Sequence, residues 1–250
     1  MTSYNPFSLV GKNILVTGSS SGIGRGVAIE CSIMGASVII TGRNKERLDN
    51  TFAQLEGNNN KEIIADLRRK DGIDLLVSSI PMLDGVVHCA GIGDRTLCKT
   101  VKEEDLERVM SINFNSPVLL QGRLLKEKKI SPSSSIVFIA SRAPFAPTIG
   151  NGLYSASKGA LIAYAKVLSL ELAPRGIRVN SICPAMVWTE LIEKDSILTG
   201  VDYHEAEKKY PLKRYGNPKD VAHLAVYLLS DASLWMTGSC IDITGGAYSL

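Results

Sequence analysis

The stretch NILVTGSSSGIG (13–24) decides the fold. It runs from apolar, β-branched residues into a glycine-rich turn and then opens a helical pattern, so it predicts a strand, a tight turn and a helix in succession. Glycines at 18, 22 and 24 allow the turn and let backbone N–H groups at the helix N-terminus approach a pyrophosphate. We therefore predict that this turn binds a dinucleotide; the alternative is a merely flexible turn.

Six further apolar runs of strand length follow along the chain. They are SVIIT (37–41), EIIA (62–65), GVVHCA (85–90), SIVFIA (135–140), IRVNSIC (177–183) and CIDI (240–243). Helical periodicity fills the intervals over 22–34, 44–56, 68–80, 103–129, 152–174 and 218–230. Strands that are apolar on both faces and alternate with helices indicate a parallel sheet covered on both sides. We predict one α/β domain over 1–250, with a doubly wound, seven-stranded parallel sheet and a mobile substrate loop at about 186–217.

The composition limits the class of partner. The 250 residues are 45% hydrophobic and 21% charged, which is enough for one sizeable core. The 28 basic and 25 acidic side chains are scattered and leave a formal charge of +3, which argues against a nucleic-acid partner. The start has no signal-peptide pattern, and no apolar run approaches membrane-spanning length. We expect a cytoplasmic protein with a small-molecule substrate and no membrane partner.

Cysteine and histidine usage bears on redox state and metals. The cysteines are odd in number and form no CxxC pair: Cys31, Cys89, Cys98, Cys183 and Cys240. We expect them to be reduced, buried packing residues. The three histidines form no HxxxH or Cys/His cluster, so no metal site is predicted.

The end of the second predicted strand bears on which dinucleotide binds. An acidic residue there usually holds the adenosine ribose of NAD, whereas an arginine accommodates the 2′-phosphate of NADP. In ITGRNKERL, Gly42 takes the expected acidic place and Arg43 follows. We therefore predict NADP rather than NAD. The alternative is that Arg43 is an ordinary solvated loop residue.

The pentapeptide YSASK (154–158) contains a possible acid–base pair. Tyr154 and Lys158 are four residues apart and share one face of a helix. An ammonium beside a phenol favours the phenolate and lowers the tyrosine pKa toward the working range of a general acid. The alternative is an ordinary helix face with a lysine that reaches solvent.

In their order and spacing these motifs resemble the short-chain dehydrogenase/reductase family, and specifically its short branch that includes the 3-oxoacyl-carrier-protein reductases. The markers are TGSSSGIG, the pair Asp66 and Leu67, HCAG (88–91), Asn113 in SINFNSP, Ser141, YSASK and PAMVWT (184–189). They cover nearly the whole chain, and Ser141 precedes Tyr154 by the family's usual 13 positions.

The resemblance implies a Rossmann-type fold and an NADPH-dependent reduction of a ketone or 3-oxoacyl group. Tyr154 would protonate the carbonyl oxygen, and Ser141 would hydrogen-bond it. Lys158 would lower the pKa of Tyr154 and hold the nicotinamide ribose, and Asn113 would anchor a water that links Lys158 to solvent. The implied cofactor contacts are Gly18, Ser20, Ser21, Gly22, Ile23, Gly24, Arg43, Asp66, Leu67, Ala90, Gly91, Tyr154, Lys158, Ile182, Pro184, Val187 and Thr189.

The resemblance also implies a homotetramer, because members of the family are commonly tetramers. Two other functions stay open: an NAD-linked alcohol or sugar dehydrogenase, and a nucleotide-binding regulatory protein without activity. Apolar residues near the expected substrate loops suggest either pocket walls or closing contacts of a lid or a subunit interface. They are Phe145, Met186, Trp188, Leu191 and Ile192.

The sequence departs from the family pattern at four places. HCAG replaces the common NNAG, and Pro184 is followed by Ala185 where glycine is usual. Ser21 stands where many NADP-preferring members carry a basic residue, which leaves Arg43 as the expected phosphate ligand. ITGG (243–246) replaces the frequent VDGG. None of these departures affects the predicted catalytic residues.

Overall fold

The computed structural model describes residues 4–247. Seven strands form an all-parallel sheet in the order β3-β2-β1-β4-β5-β6-β7. The strands are β1 (Asn13–Thr17), β2 (Ser37–Gly42), β3 (Lys61–Ile64), β4 (Leu83–His88), β5 (Ile130–Ile139), β6 (Arg178–Pro184) and β7 (Cys240–Ile243). The predicted doubly wound, seven-stranded parallel sheet in a single α/β domain is confirmed.

Nine α-helices connect the strands and cover both faces of the sheet across residues 4–247. They are α1 (Gly22–Ile33), α2 (Lys45–Phe52), α3 (Lys70–Ser79), α4 (Glu103–Met110), α5 (Ser116–Lys126), α6 (Gly152–Leu172), α7 (Glu190–Thr199), α8 (Tyr203–Glu207) and α9 (Pro218–Leu229). Over this same part of the chain, no helix is long and apolar enough to cross a bilayer.

The strand order reverses between β1 and β4. The chain first moves outward from β1 through β2 to β3, then returns to the other side of β1 and continues to β7. Val16 of β1 therefore pairs with Ile40 on one side and with Val87 on the other. Ligands of open α/β sheets bind where such a reversal leaves a crevice at the carboxyl ends of the strands.

Alternation along the strands builds two apolar layers. Val16, Val87 and Val137 point to the layer that packs under α1 and α9. Residues one position earlier on the same strands, such as Leu15 and Val86, point to the opposite layer under α5 and α6. Successive strand residues face opposite sides, so apolar runs without a polar face are what this double burial requires.

The predicted helix over 103–129 is interrupted. A π-helical turn at Ser111–Asn115 separates α4 from α5. Pro117 lacks the N–H that would bond the Asn113 carbonyl in an α-helix. The Ser116 N–H instead bonds the carbonyl of Ser111, five residues back, and the Ser116 hydroxyl donates to that same carbonyl at 2.6 Å. The proline of SINFNSP signals this interruption, which the periodicity alone did not.

The segment 186–217 is folded, although the sequence suggested a mobile loop. It contains α7 and α8 and a small apolar cluster of its own around Tyr203, Tyr210 and Tyr215. We refer to residues 186–217 as the lid.

Neighbouring leucines of α3 give a matched test of the layered core. The Leu76 side chain is 0% exposed within the α5 and α6 layer, whereas Leu75 is 51% exposed. Leu76→Ala should lower the free energy of unfolding by about 2–5 kcal/mol, because it removes buried methyl groups and leaves a cavity. Leu75→Ala, the same change on the opposite face, should stay within about 0.5 kcal/mol. Urea denaturation followed by circular dichroism measures both, and equal losses would contradict this packing.

Candidate active site

The glycine turn rests directly on the end of β4. The Thr17 hydroxyl oxygen accepts hydrogen bonds from the N–H groups of Cys89 at 3.0 Å and Ala90 at 3.2 Å. Gly18 has a φ of +67°, and a Cβ there would lie 2.7 Å from the Cα of Ala90. Only glycine fits at this point. Thr17 thus holds the start of the loop in HCAG, where the family's asparagines would otherwise supply hydrogen bonds.

The turn leaves the start of α1 open to an anion. Ser21 is the N-cap of α1, but its side chain accepts no capping hydrogen bond. The first N–H groups of a helix have no intrahelical partner and attract negative charge. Gly22 has a φ of +54°, and a Cβ there would lie 3.1 Å from the Thr189 methyl group. The fold therefore brings Thr189, at the start of the lid, against the glycine turn.

Arg43 and Asp66 lie at the ends of β2 and β3. Arg43 is exposed, and within residues 4–247 no hydrogen bond or salt bridge to the protein occupies its guanidinium. The Asp66 carboxylate is bound by Arg68, whose NH2 group approaches to 2.5 Å, and this bond holds the pKa of Asp66 down at about 2. The end of β2 therefore presents an uncommitted cation, and Asp66 beside it is already paired.

Several predicted cofactor contacts have side chains that point away from the crevice. Leu67, Ile182 and Val187 are buried in the apolar layers of the sheet. Only their backbone groups are therefore suited to contact a ligand.

Ser141 and Tyr154 meet at the carboxyl end of β5. Ser141 follows this strand, and its hydroxyl oxygen accepts the Ala143 N–H at 3.1 Å. The Ser141 hydroxyl lies close enough to the Tyr154 phenol to oppose the rise of its pKa. Tyr154 lies in the first turn of α6, so the helix places its phenol next to the strand end. The predicted pair is thus brought together.

Lys158 lies one turn further along α6 and is buried. Its ammonium donates to the Ile139 carbonyl at 2.8 Å and lies 5.9 Å from the centroid of the Tyr154 ring. Burial lowers the pKa of Lys158 to about 8, because the charged form is poorly solvated there. At neutral pH most of this lysine is still charged.

The predicted lowering of the Tyr154 pKa is wrong for this structure. Burial raises the pKa of Tyr154, and the neighbouring Ser141 hydroxyl opposes that rise only in part. The Lys158 ammonium is directed to a backbone carbonyl rather than to the phenol oxygen, so desolvation of the phenolate dominates. Tyr154 is therefore a protonated phenol at neutral pH, the form that a proton donor needs.

Asn113 connects the loop after β4 to α6. Its fully buried amide donates to the Ile92 carbonyl at 3.0 Å and to the Ser157 hydroxyl at 3.1 Å, and it accepts the Ile92 N–H at 2.8 Å. A Cβ on Gly91 would lie 3.3 Å from both the Asn113 amide oxygen and the Lys158 nitrogen. The loop thus passes close to both side chains, and its glycine leaves room between them.

The ends of β6 and β7 complete the edge of the crevice. The Pro184 carbonyl accepts the Arg142 N–H at 2.9 Å, and the Ala185 N–H donates to Ile243 at 3.0 Å. Ala185 is tolerated because its φ is negative: in the described part of the chain, positive φ at non-glycine residues occurs only at Lys128, Ser133 and Lys213.

The ITGG departure keeps a short acceptor side chain in place of the family's aspartate. Gly245 and Gly246 have φ values of +60° and +87°, a backbone region that favours glycine. The Thr244 hydroxyl accepts the Gly246 N–H at 3.3 Å. A Cβ on Gly246 would lie 2.9 Å from Pro211, so this turn also supports the lid.

The lid is held together by Glu207. Its carboxylate accepts the Trp188 indole N–H at 2.7 Å and the Tyr215 N–H at 3.1 Å, and these bonds lower the pKa of Glu207. Trp188 also stacks on His204, with ring centroids 4.5 Å apart. Trp188, Met186 and Ile192 pack in this cluster, so they are closing contacts of the lid.

Two salt bridges tie the lid to the body of the protein. Arg47 of α2 contacts Glu190 at 2.6 Å, on the side of the glycine turn. Arg95, in the loop after β4, binds both oxygens of Asp195 at 2.9 Å. A Cβ on Gly93, in the loop after β4, would lie 3.2 Å from the exposed Leu191 side chain. The lid is therefore held against α2 and against the loop after β4.

Sequence reasoning missed Thr17, Arg47 and Arg95. Thr17 opens the TGSSSGIG stretch, so its place at the end of β1 is visible in the sequence. Arg47 and Arg95 are paired with residues 143 and 100 positions away. No local pattern indicates such pairs.

The expectation of buried cysteines holds only in part, and His88 is a packing residue. Cys98 is exposed, whereas Cys31 and Cys183 are buried; all five cysteines of the chain are free thiols. His88 is buried and stacks on Phe138, and burial lowers its pKa to about 4. It is a neutral packing residue at pH 7.

Comparison with known proteins identifies the family. A family profile described as "Enoyl-(Acyl carrier protein) reductase" matches residues 18–248. The 3-oxoacyl-[acyl-carrier-protein] reductase FabG of Rickettsia felis is 35% identical over 95% of this chain and 97% of its own length. The NAD-dependent glycerol dehydrogenase of Listeria innocua is 31% identical over 96% of this chain and 95% of its own length.

A solved structure agrees with these relatives. The 3-ketoacyl-(acyl-carrier-protein) reductase from Brucella melitensis, complexed with NADH, has a TM-score of 0.84 and 28% identity, covering 96% of this chain and 99% of that one. The match of profile, sequence and fold extends over the glycine turn, the β5 end and α6. This chain belongs to the short-chain dehydrogenase/reductase family and is an NAD(P)-dependent oxidoreductase.

Proposed function

We propose that this enzyme uses NADPH to reduce a 3-oxoacyl group, or another small ketone, to an alcohol. The observation that carries this proposal is the placing of the Ser141 and Tyr154 hydroxyls together at the end of β5, beside the buried ammonium of Lys158. Two hydroxyl donors at one point suit a carbonyl oxygen that gains negative charge as it is reduced. The similarity to the reductase of Rickettsia felis supports the acyl substrate.

In this proposal Tyr154 is the catalytic acid. Its raised pKa keeps the phenol protonated at neutral pH, so it has a proton to donate to the substrate oxygen. Ser141 donates a second hydrogen bond to that oxygen. Bound NADPH supplies the hydride for the carbonyl carbon. Both hydroxyls are fixed before the substrate arrives, which limits reorganisation during the reaction.

In this proposal Lys158 and Asn113 help to return a proton to Tyr154 after each reduction. Lys158 holds the nicotinamide ribose, and its ammonium lies 5.9 Å from the centroid of the Tyr154 ring. The Asn113 side chain is fully used in hydrogen bonds to Ile92 and Ser157, so its backbone carbonyl is the group left for a water. Pro117 leaves the Asn113 carbonyl without its usual helical donor, because proline has no backbone N–H.

The crevice suits a dinucleotide phosphate cofactor. Gly18, Ser20, Ser21, Gly22, Ile23 and Gly24 bring backbone groups to the pyrophosphate. Exposed Arg43 takes the 2′-phosphate, and Asp66, Leu67, Ala90 and Gly91 line the adenosine. Pro184, Val187 and Thr189 complete the nicotinamide side. Room for close backbone approach at Gly18, Gly22 and Gly91, where a Cβ would crowd a neighbour, supports this arrangement.

The lid (186–217) forms the substrate side of the same domain, with the loop 144–152. Phe145 and Leu191 keep exposed apolar side chains, which suits a partly apolar substrate. A homotetramer is supported by exposed apolar residues on the outer faces of α5 and α6, such as Leu119, Val167 and Leu170. A cytoplasmic location remains a prediction from the sequence.

An NAD-linked dehydrogenase is the second candidate. The named activity of the Listeria innocua relative and the NADH in the Brucella melitensis structure favour it. The end of β2 distinguishes the two, because an exposed arginine there gives NADPH an ion pair that NADH cannot make. The third function left open by the sequence, a regulatory protein without activity, is set aside because the chain is an NAD(P)-dependent oxidoreductase.

Removal of one hydroxyl tests the catalytic role. Tyr154→Phe should lower kcat for NADPH-dependent reduction of a 3-oxoacyl thioester by about 10²–10⁴-fold, because the proton donor is lost. Tyr164→Phe is the matched control, because it removes a hydroxyl from the same helix two to three turns away, where the ring packs on Phe114 and Phe138. Steady-state NADPH absorbance measures both. A Tyr154→Phe enzyme with unchanged kcat would contradict the proposal.

The pH dependence follows from Lys158. Its pKa of about 8 means that the ammonium is present below that pH and is lost as the pH rises through it. Because kcat/KM reports the free enzyme, kcat/KM for NADPH should fall above about pH 8. Tyr154, with its raised pKa, stays protonated over this range. A profile that stays level through this range would show that the Lys158 charge is not needed.

Arg43 decides the cofactor preference. Arg43→Ala should weaken NADPH binding by roughly 10- to 100-fold, the cost of losing a charge-assisted hydrogen bond, and leave NADH binding nearly unchanged. Arg69→Ala is the control. It also removes an exposed arginine, but one that is paired with Asp71, and it should change neither NADPH binding nor NADH binding. Fluorescence titration with each cofactor measures the Kd values. Equal losses for NADPH and NADH would favour the NAD-linked alternative.

A further inference from the structure

Two free thiols face each other across β6 and β7. The sulfur atoms of Cys183 and Cys240 are 3.0 Å apart, and both residues lie on adjacent parallel strands. Disulfide formation requires the sulfurs to approach to about 2.05 Å, so a small side-chain movement is enough. Neither thiol has a part in the proposed reduction of a carbonyl group.

The surroundings give the two thiols different chemistry. Cys240 is partly exposed and lies near the cations Lys166 and Arg142; its bond to Cys183 and these cations bring the pKa of Cys240 to about 7. Asp242 opposes this shift but is itself paired with Arg142 at 2.8 Å. Cys183 is fully buried, and its pKa is raised. An accessible thiolate beside a protected thiol is the arrangement of an attacking and a resolving cysteine.

We propose that Cys240 and Cys183 form a reversible regulatory disulfide in the presence of hydrogen peroxide. The Cys240 thiolate attacks one peroxide oxygen, the O–O bond breaks, and the departing hydroxide takes a proton to leave as water. The Cys183 sulfur then attacks the Cys240 sulfur, the S–O bond breaks, and a second water leaves with the Cys183 proton. The two thiols lose two electrons, and the peroxide gains them. A dithiol reverses the change by thiol–disulfide exchange.

The disulfide acts on the active site through Ser141. Ser141 and Cys183 lie on neighbouring backbone segments, because the Ala140 N–H donates to the Ile182 carbonyl at 2.8 Å and the Arg142 N–H donates to the Pro184 carbonyl at 2.9 Å. The Cys183 sulfur is near the Ser141 backbone and near enough to Tyr154 to influence its pKa. Movement of that sulfur toward Cys240 therefore shifts the backbone that carries the Ser141 hydroxyl. This consequence for turnover rests on the function proposed above, whereas formation of the disulfide does not.

Mass spectrometry of the full-length native protein tests the disulfide. After treatment with hydrogen peroxide, the chain should lose the mass of two hydrogen atoms, and the peptides that contain Cys183 and Cys240 should be joined until dithiothreitol is added. Cys240→Ser and Cys183→Ser should abolish the joined peptides, whereas Cys98→Ser, which removes the exposed thiol, should not. Oxygen added to Cys240 without joined peptides, or joining through Cys98, overturns the proposal.

Two further measurements keep the test independent of variant folding and of activity. In the untreated wild-type chain, iodoacetamide should label Cys240 before Cys183; the reverse order overturns the assignment of roles. Turnover of NADPH should fall roughly tenfold or more on disulfide formation, return with dithiothreitol, and not fall by this route in Cys240→Ser. A disulfide with unchanged turnover overturns the coupling to Ser141. If the untreated enzyme shows no turnover, the proposed function is wrong. The joined peptides in mass spectrometry still test whether the disulfide forms.

Discussion

The close seating of β1 on β4 is the constraint on which the rest of this structure depends. Thr17 binds two N–H groups at the start of the loop after β4, and Gly18 approaches that loop more closely than any side chain would permit. The glycine turn and the loop are therefore fixed relative to each other at the reversal of strand order. Hydrogen bonds then connect Ile92 of this loop to the Asn113 side-chain amide, and that amide to Ser157. Ser157 lies on α6, the helix that carries Tyr154 and Lys158.

Burial, rather than pairing of charges, sets the protonation states of the site. Tyr154 keeps its proton and Lys158 holds its own less tightly, because both charged forms are desolvated by the surrounding strands and loop. Both shifts favour a neutral phenol next to an ammonium that can release a proton near physiological pH.

Features that depend on neighbouring residues in the chain were predictable, and features that depend on distant ones were not. All seven strands were found from local apolar runs, and the glycine turn and α6 pair from short motifs. The salt bridges Arg95–Asp195 and Arg47–Glu190 have no signal in the local sequence, because the partners are far apart in the chain. The direction of the Tyr154 pKa shift was not predicted, because a pentapeptide does not show how deeply a side chain is buried. The interruption at Ser111–Asn115 was missed although Pro117 marks it.

The π-helical turn between α4 and α5 has a consequence for how this chain can change in length. One residue is about 100° of rotation in a helix, so losing a single residue from that turn would swing all of α5 around its axis. Leu120 and Leu124, which are fully buried under the sheet, would then face the solvent, and outward-facing Leu119 would turn toward the interior. Insertions and deletions should therefore be excluded from this part of the gene more strictly than amino-acid replacements.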